Sequence, residues 1–469
     1  MKLGTLTAMV VGGMVGAGVF SLPRNFAQVT GVYGALIAWI IAGAGMLMLA
    51  FVFQSLAVRK PDLDAGVYAY ARAGFGPYLG FFSALGYWAS ACVGNVSYWV
   101  LIKSTLGAVI PGFGDGNTIT AVLVSSVGIW AFHFMVLRGV KEAAAINKIV
   151  TIAKVVPLLV FLFLAVFAFK PDVFMDNLWG GSDAGNYDGL FTQVKATMLV
   201  TVFVFLGIEG ASNYSRFAEK RSDVGKATVM GFLGVLALFA SVSILSYGVM
   251  PQAEIAQLRQ PSVAGVLEAV VGYWGAVFIS VGLIVSVLGA YLAWTLMAAE
   301  VLSIAAKKND MPAFLARENA NQVPTAALFM SSMLVQLVLV ATLFSDDAFF
   351  FALSLTSHLS LIPFFLSAAF ALKLVMTKET YQHDTSTLNK DLLIAALAVI
   401  YTLFLVFAGG LKFLVLGFLV YAPGTVLYFM TRREQGKQLF TPLEWLVFAV
   451  ALVGAIAAVH GLATGWITI

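Results

Sequence analysis

The sequence predicts an all-α polytopic membrane protein of about thirteen transmembrane helices, and three observations predict it. Of 469 residues, 61% are hydrophobic and only 11% charged, well below the roughly 25% charge of ordinary soluble domains. Apolar runs of about 20 residues recur to the end of the chain, each long enough to cross about 30 Å of hydrocarbon as a helix. Lys and Arg between these runs fall strongly on one side once the runs are threaded back and forth. A β-barrel requires short alternating segments, and none are present.

Taken in order, the predicted spans are 5–28, 34–58, 77–108, 118–137, 146–169, 190–216, 225–249, 271–306, 324–344, 347–375, 391–408, 411–430 and 443–463. With the N-terminus in the cytoplasm, the inner loops collect Arg59, Lys60, Arg72, Arg138, Lys141, Lys148, Arg216, Lys220, Arg221, Lys226, Lys307, Lys308, Arg317, Lys373, Lys378, Lys390, Arg432, Arg433 and Lys437. The outer loops hold chiefly Lys170, Arg259 and Lys412, beside Asp172, Asp176, Asp183, Asp188, Asp346 and Asp347. This charge alternation supports the span count, because one missed helix scrambles every loop downstream. The longest polar stretches, 171–189 outside and 376–390 inside, are loop-sized. The first apolar run follows only Lys2 and lacks an A-x-A-type cleavage site, so it reads as a retained span rather than a signal peptide.

The first span carries "GGMVGAGVFSLP" at 12–23, with Gly12, Gly13, Gly16, Gly18 and Pro23. Each glycine in a helix interior costs about 1 kcal/mol relative to alanine. The sixth span, "VFVFLGIEGASNYSR", is interrupted by Gly207, Glu209 and Gly210. Irregular backbone at membrane depth is tolerated only where protein or a water-filled cavity surrounds it. The two breaks lie five spans apart, so their helices cross in opposite senses, the pattern of an inverted repeat with a midplane site. Half-helix ends expose N–H groups suited to a carboxylate and C=O groups suited to an ammonium. A zwitterionic amino acid presents both. The alternative, close helix packing through small residues, accounts for one break more readily than for two.

Further motifs accompany the breaks: "DAGVYAYARAGFGPYLGF" at 64–81, "YWASACVGN" at 87–95, "FLGIEGAS" at 205–212 and "WTLMAAE" at 294–300. In this order the chain resembles the amino acid–polyamine–organocation superfamily, most closely its basic amino-acid antiporters of the arginine/ornithine type. The likeness covers residues 1 to about 375. It implies a LeuT-type 5+5 fold: a first repeat over 1–170, an inverted second repeat over 190–375, and peripheral helices over 390–469. A thirteenth helix departs from the family's usual twelve.

The resemblance implies a substrate carboxylate on Gly16, Ala17 and Gly18, where Ala17 replaces a serine of arginine/agmatine exchangers. The α-ammonium would meet carbonyls near Phe203 and Leu206, beside Gly207 and Glu209. Phe203 replaces a tryptophan of the arginine/agmatine branch. Trp294 matches an aromatic that stacks on a cationic side chain, worth ~1–2 kcal/mol when desolvated. Ser90, Ala91, Asn95 and Tyr98 would line the side-chain end, with Ser354 and Thr356 as further candidates.

Among ionisable residues, Glu209 sits on the sixth-span break and reads as a proton-sensitive gate or counter-charge, against a neutral interhelical acid. For Lys154 the resemblance implies support of the broken first span in the place a sodium ion takes in sodium-coupled relatives; the other reading is snorkelling to the cytoplasmic face. Glu300 is expected to pair with an intracellular Lys or Arg, with gating as the other reading. Tyr87 and Trp88 are expected at an outer gate or in an interfacial belt, and Asp64, Tyr68 and Arg72 at an inner anchor or gate. His358 reads as a satisfied interior histidine.

Cys92 is the single cysteine and the four histidines are scattered, so no disulfide, metal site or cofactor is expected. No Walker or GxSxG motif offers catalysis. The expected function is secondary antiport of arginine for ornithine or a related basic amino acid or amine, in a bacterial inner membrane. Alternatives are lysine/cadaverine or histidine/histamine exchange, a proton-coupled amino-acid symporter, and a channel or scaffold. The expected partners are basic amino acids and their amines and the lipid bilayer, with a homodimer left open and nucleic acid excluded.

Overall fold

A computed structural model describes residues 3–63, 66–139, 143–180, 189–209, 221–382 and 385–469. Helices dominate it, and a lone bridge between Glu318 and Pro324 is the β-structure of the described residues.

Every one of the thirteen predicted spans falls on a helix. The first is broken: α1 (Leu3–Met14) is followed by a 3₁₀ turn at Gly18–Ser21 and by α2 (Leu22–Ala27), with a 46° bend between the halves. Next come α3 (Val32–Arg59), the short α4 (Val67–Phe75) and α5 (Pro77–Gly107). The remainder of the first half is α6 (Ile119–Leu137), α7 (Ala143–Phe167) and α8 (Pro171–Asp176). The sixth span opens with α9 (Leu190–Phe205), whose helix stops at the predicted break; the rest of that span, including Gly210, lies outside the described residues. There follow α10 (Arg221–Ser246), α11 (Gln252–Gln257), α12 (Ser262–Val271), α13 (Tyr273–Lys307), α14 (Thr325–Ala341) and α15 (Ala348–Thr377). The predicted spans 391–408 and 411–430 form one long helix, α16 (Leu388–Glu434), divided at Gly410 by non-helical backbone (φ 74°, ψ 170°). The last helix is α17 (Pro442–Thr464), opened by a capping box between Thr441 and Glu444.

The interior is built around α5 and α15, and α5 is buried along nearly all of its length. Helices around them show the opposite: Leu123, Leu159, Val281, Leu337, Leu397 and Val453 are exposed, as an apolar solvent permits. Helix α1 packs on α10, α13 lies on α5 and α7, and α17 is carried by α16. Trp39 of α3 joins several of these layers. Its ring stacks on Phe26 at 5.2 Å, meets Phe205 edge-on at 6.0 Å, and its Nε1 donates to Ser243 Oγ at 2.8 Å. That contact set holds the second half of the broken first span against the end of α9.

Candidate functional site

The first break is a hydrogen-bonding discontinuity. Val15 N donates to Val11 O at 2.9 Å, closing the last turn of α1. The chain then leaves the helix, and no described residue accepts from the N–H groups of Gly16, Ala17 or Gly18. Helical bonding resumes with Phe20 N to Ala17 O at 3.2 Å. Three consecutive amide donors are therefore free at the head of a half-helix, where the dipole adds positive potential. The last carbonyls of α1 are orphaned in turn. Lys154 Nζ, buried in α7, donates to Gly12 O at 2.6 Å. A cation at a helix C-terminus satisfies both the lone pair and the dipole. Lys154 is thus turned inward to the break rather than outward to the membrane surface.

The second break lies against the first. Gly207 has φ +103°, a conformation open to glycine and strained for other residues. A Cβ there would come within 2.8 Å of both the carbonyl carbon and the oxygen of Gly13. Gly18 is crowded similarly, since its Cβ would lie 2.7 Å from Val204 Cγ1 and 2.8 Å from Phe203 Cδ1. The glycines let two interrupted backbones touch.

Between the breaks and α5 lies a narrow cavity with room for little more than a water molecule in this closed arrangement, ≈ 20 Å³. Of the residues singled out from sequence, Gly16, Ala17, Gly18, Ser90, Ala91, Tyr98, Phe203, Leu206, Trp294 and Thr356 line it. The Tyr98 hydroxyl lies 3.5 Å from where a Gly16 Cβ would stand. Ser90 Oγ donates to Thr356 O at 2.9 Å and is 2.9 Å from Ser360 Oγ, which pins α5 to α15. The Thr356 hydroxyl has no partner among the described residues and is available to a ligand.

Four predicted residues stand outside this lining. Asn95 donates from Nδ2 to Thr295 Oγ1 at 3.1 Å, bracing α5 against α13. Ser354 is buried behind the cavity wall. Gly207 and Glu209 bond to each other and to α5 instead: Glu209 Oε1 accepts from the Tyr87 hydroxyl at 2.6 Å and Oε2 from Gly207 N at 3.1 Å. The Tyr87 hydroxyl also lies 3.7 Å from Met297 Sδ.

The structure departs from expectation at Tyr87, Trp88, Glu300 and His358. Tyr87 lies one turn before Ser90 on α5, and Met297 one turn beyond Trp294 toward Lys307, so the Tyr87–Glu209 contact closes the cation-rich side of the cavity. With cations inward, that is the inner side, and the outer-gate reading of Tyr87 does not stand. Trp88 turns away altogether, donating from Nε1 to Ser331 Oγ of α14 at 2.9 Å. Glu300 is exposed and makes no ion pair among the described residues, in contrast to the expected partner. It lies on the outward face of α13. The His358 ring nitrogens are buried without a partner among the described residues, so it is not the satisfied interior histidine expected.

Beyond Tyr87, the cation-rich side is sealed again. Arg72 Nε and Asp310 Oδ2 are 2.6 Å apart, and the Tyr68 hydroxyl donates to the same carboxylate. Burial raises Asp310 above the usual carboxylate range, opposed by the Tyr68 hydrogen bond and the Arg72 charge. The neighbouring Asp64 lies outside the described residues. On the opposite side, Phe203 meets Phe349 edge-on at 6.5 Å, and Arg24 pairs with Asp347 at 3.2 Å.

The lining also includes Gly13, Met14, Gly94 and Val204, which sequence reading passed over. Gly94 was detectable, because it falls between Ser90 and Tyr98 at the four-residue interval of one helix face. Val204 carries no such signal.

A polytopic helical bundle with a cavity set between an interrupted first span and the end of α9 has the build of a membrane permease. The chain belongs to the amino acid permease family, whose model matches residues 2–426. It is 53% identical to the arginine/ornithine antiporter of Pseudomonas aeruginosa, covering all of this chain and 98% of that protein. It is 39% identical to the L-lysine transport protein of Corynebacterium glutamicum, over 99% of this chain and 95% of the relative. Against the arginine/agmatine antiporter of Chlamydia abortus the identity is 40%, over 90% and 88%.

Proposed function

We propose that this protein is a secondary antiporter that exchanges an external basic amino acid, arginine by preference, for ornithine or a related basic amino acid or amine. The observation that carries this reading is the set of free amides at Gly16, Ala17 and Gly18, which share a cavity with Trp294. The amides suit a carboxylate and the indole face suits a cationic side chain. The names of the relatives point to the same substrates. Residues 1–170 and 190–375 act as inverted repeats that rock about the cavity, with 390–469 at the periphery. The N-terminus lies in the cytoplasm of a bacterial inner membrane, which makes Tyr87–Glu209 and Tyr68–Asp310–Arg72 the inner closure and Arg24–Asp347 the outer one.

Exchange rather than uniport follows when the empty carrier reorients slowly. Both breaks leave backbone groups that the substrate satisfies, so the loaded carrier crosses more readily than the empty one.

Ligand-induced thermal stabilisation tests the specificity, since a ligand at concentration [L] adds RT ln(1 + [L]/Kd). Arginine, ornithine and lysine are expected to stabilise the purified protein, and leucine and alanine to leave it unchanged. Trp294→Leu is expected to weaken arginine binding about 5–30-fold, the loss of a desolvated cation–π contact of ~1–2 kcal/mol. Stabilisation by neutral amino acids alone, unaffected by Trp294→Leu, contradicts the reading and favours a neutral amino-acid symporter.

A further inference from the structure

A second recess, sharing no lining residue with the transport cavity, lies on the protein surface at the cation-rich end of α16. It is a groove of ≈ 590 Å³ whose walls include Val426, Phe429, Met430 and Leu439 and whose rim carries Arg433 and Lys437. Val426, Met430 and Arg433 recur at four and three residues, which places them on one face of α16. Seven residues of helix separate Val426 from Arg433, so the apolar wall runs about 10 Å below the charged rim. Val426 and Met430 are exposed, at 55% and 41%.

The charges at the rim are uncompensated. Arg433 and Lys437 make no ion pair among the described residues. The nearest acids on the chain are engaged elsewhere: Glu434 Oε2 accepts from Ala313 N at 3.0 Å, and Glu444 accepts from Thr441 N at 2.8 Å in the capping box. Arg432 is occupied too, donating from Nε to Gln438 O at 2.8 Å and lying over the Tyr428 ring. What remains is an apolar trough below two cations that make no ion pair among the described residues.

We propose that this groove binds an anionic phospholipid, with its phosphate on Arg433 and Lys437 and one acyl chain along Val426, Phe429 and Met430. A second copy of the chain fits less well, because a two-fold contact through this patch sets identical cations against each other. Basic recesses at the membrane surface between helices suit such headgroups.

The test uses the full-length protein in a neutral detergent, with thermal unfolding and native mass spectrometry as readouts. Phosphatidylglycerol is expected to raise the Tm, while phosphatidylcholine and inorganic phosphate leave it unchanged. The double variant Arg433→Gln/Lys437→Gln is expected to lose most of that shift and to retain one phosphatidylglycerol fewer in the mass spectrum. Lys378→Gln/Lys390→Gln, which removes two exposed cations elsewhere on the same side, is expected to keep both. Equal loss in the two double variants indicates a diffuse charge effect and overturns the proposal. Protection by inorganic phosphate alone makes it a phosphate site and overturns it as well. A wild-type protein that retains no phosphatidylglycerol overturns it without recourse to a variant.

Discussion

Replacing Gly207 with alanine is expected to abolish exchange and to destabilise the protein by about 2–5 kcal/mol, from a left-handed backbone combined with overpacking. The new methyl would sit 2.8 Å from the Gly13 carbonyl carbon and oxygen, and backbone cannot swing aside as a flexible side chain can. At φ +103° the alanine is strained even in open space. Relief requires the end of α9 to withdraw from α1, and that movement takes Phe203 and Val204 away from Gly18. The two breaks thus behave as one unit. Thermal unfolding and proteoliposome exchange measure the two effects, and Gly234→Ala supplies the control, since its Cβ meets nothing within 4 Å. A Gly207→Ala protein with wild-type Tm and exchange contradicts the back-to-back packing.

Lys154→Met is expected to slow exchange at least tenfold and to cost about 1–3 kcal/mol of stability, the penalty of a buried acceptor left unsatisfied. The methionine fills similar space but cannot donate to Gly12 O, which Lys154 Nζ approaches at 2.6 Å. The end of α1 then loses the group that compensates its final turn, and the amides of Gly16 to Gly18 lose their fixed direction. Lys154→Arg retains a donor and is expected to recover part of the rate. Stability and exchange both unchanged in Lys154→Met would show that α1 holds its break without this contact.

The spans and both breaks were legible in the sequence because they are local statements. Hydrophobic runs, glycines and charge alternation are read within tens of residues, and the membrane enforces them strictly. What the breaks do to each other was not legible. Gly207 against Gly13, Tyr87 on Glu209 and Lys154 on Gly12 join residues more than a hundred positions apart, and nothing in their local patterns specifies which helix faces which. The same limit misplaced Tyr87, whose aromatic ring suits either membrane face until the register of α5 against Trp294 and Met297 is known. Glu300 is exposed on α13, and several of the cations expected near it, Lys141, Arg216 and Lys220 among them, lie outside the described residues. The ring of cavity residues on α5 was partly visible because Ser90, Gly94 and Tyr98 recur at helical spacing, whereas Val204 sits in an apolar run with nothing to distinguish it from its neighbours.

The inner and outer closures also differ in kind. The inner one layers Tyr87–Glu209 over Tyr68–Asp310–Arg72, and the outer one rests on the Phe203–Phe349 contact and the Arg24–Asp347 pair. A partly solvated pair such as the latter contributes on the order of 1 kcal/mol.

Counterflow tests the central claim most directly. Proteoliposomes loaded with labelled arginine are diluted into buffer with or without external arginine or ornithine, and the efflux of label is followed. The account predicts slow efflux into buffer, acceleration at least tenfold by external arginine or ornithine, and none by leucine. Rapid efflux into plain buffer, or efflux indifferent to external basic amino acids, would contradict exchange through a cavity whose broken helices demand a substrate on each crossing.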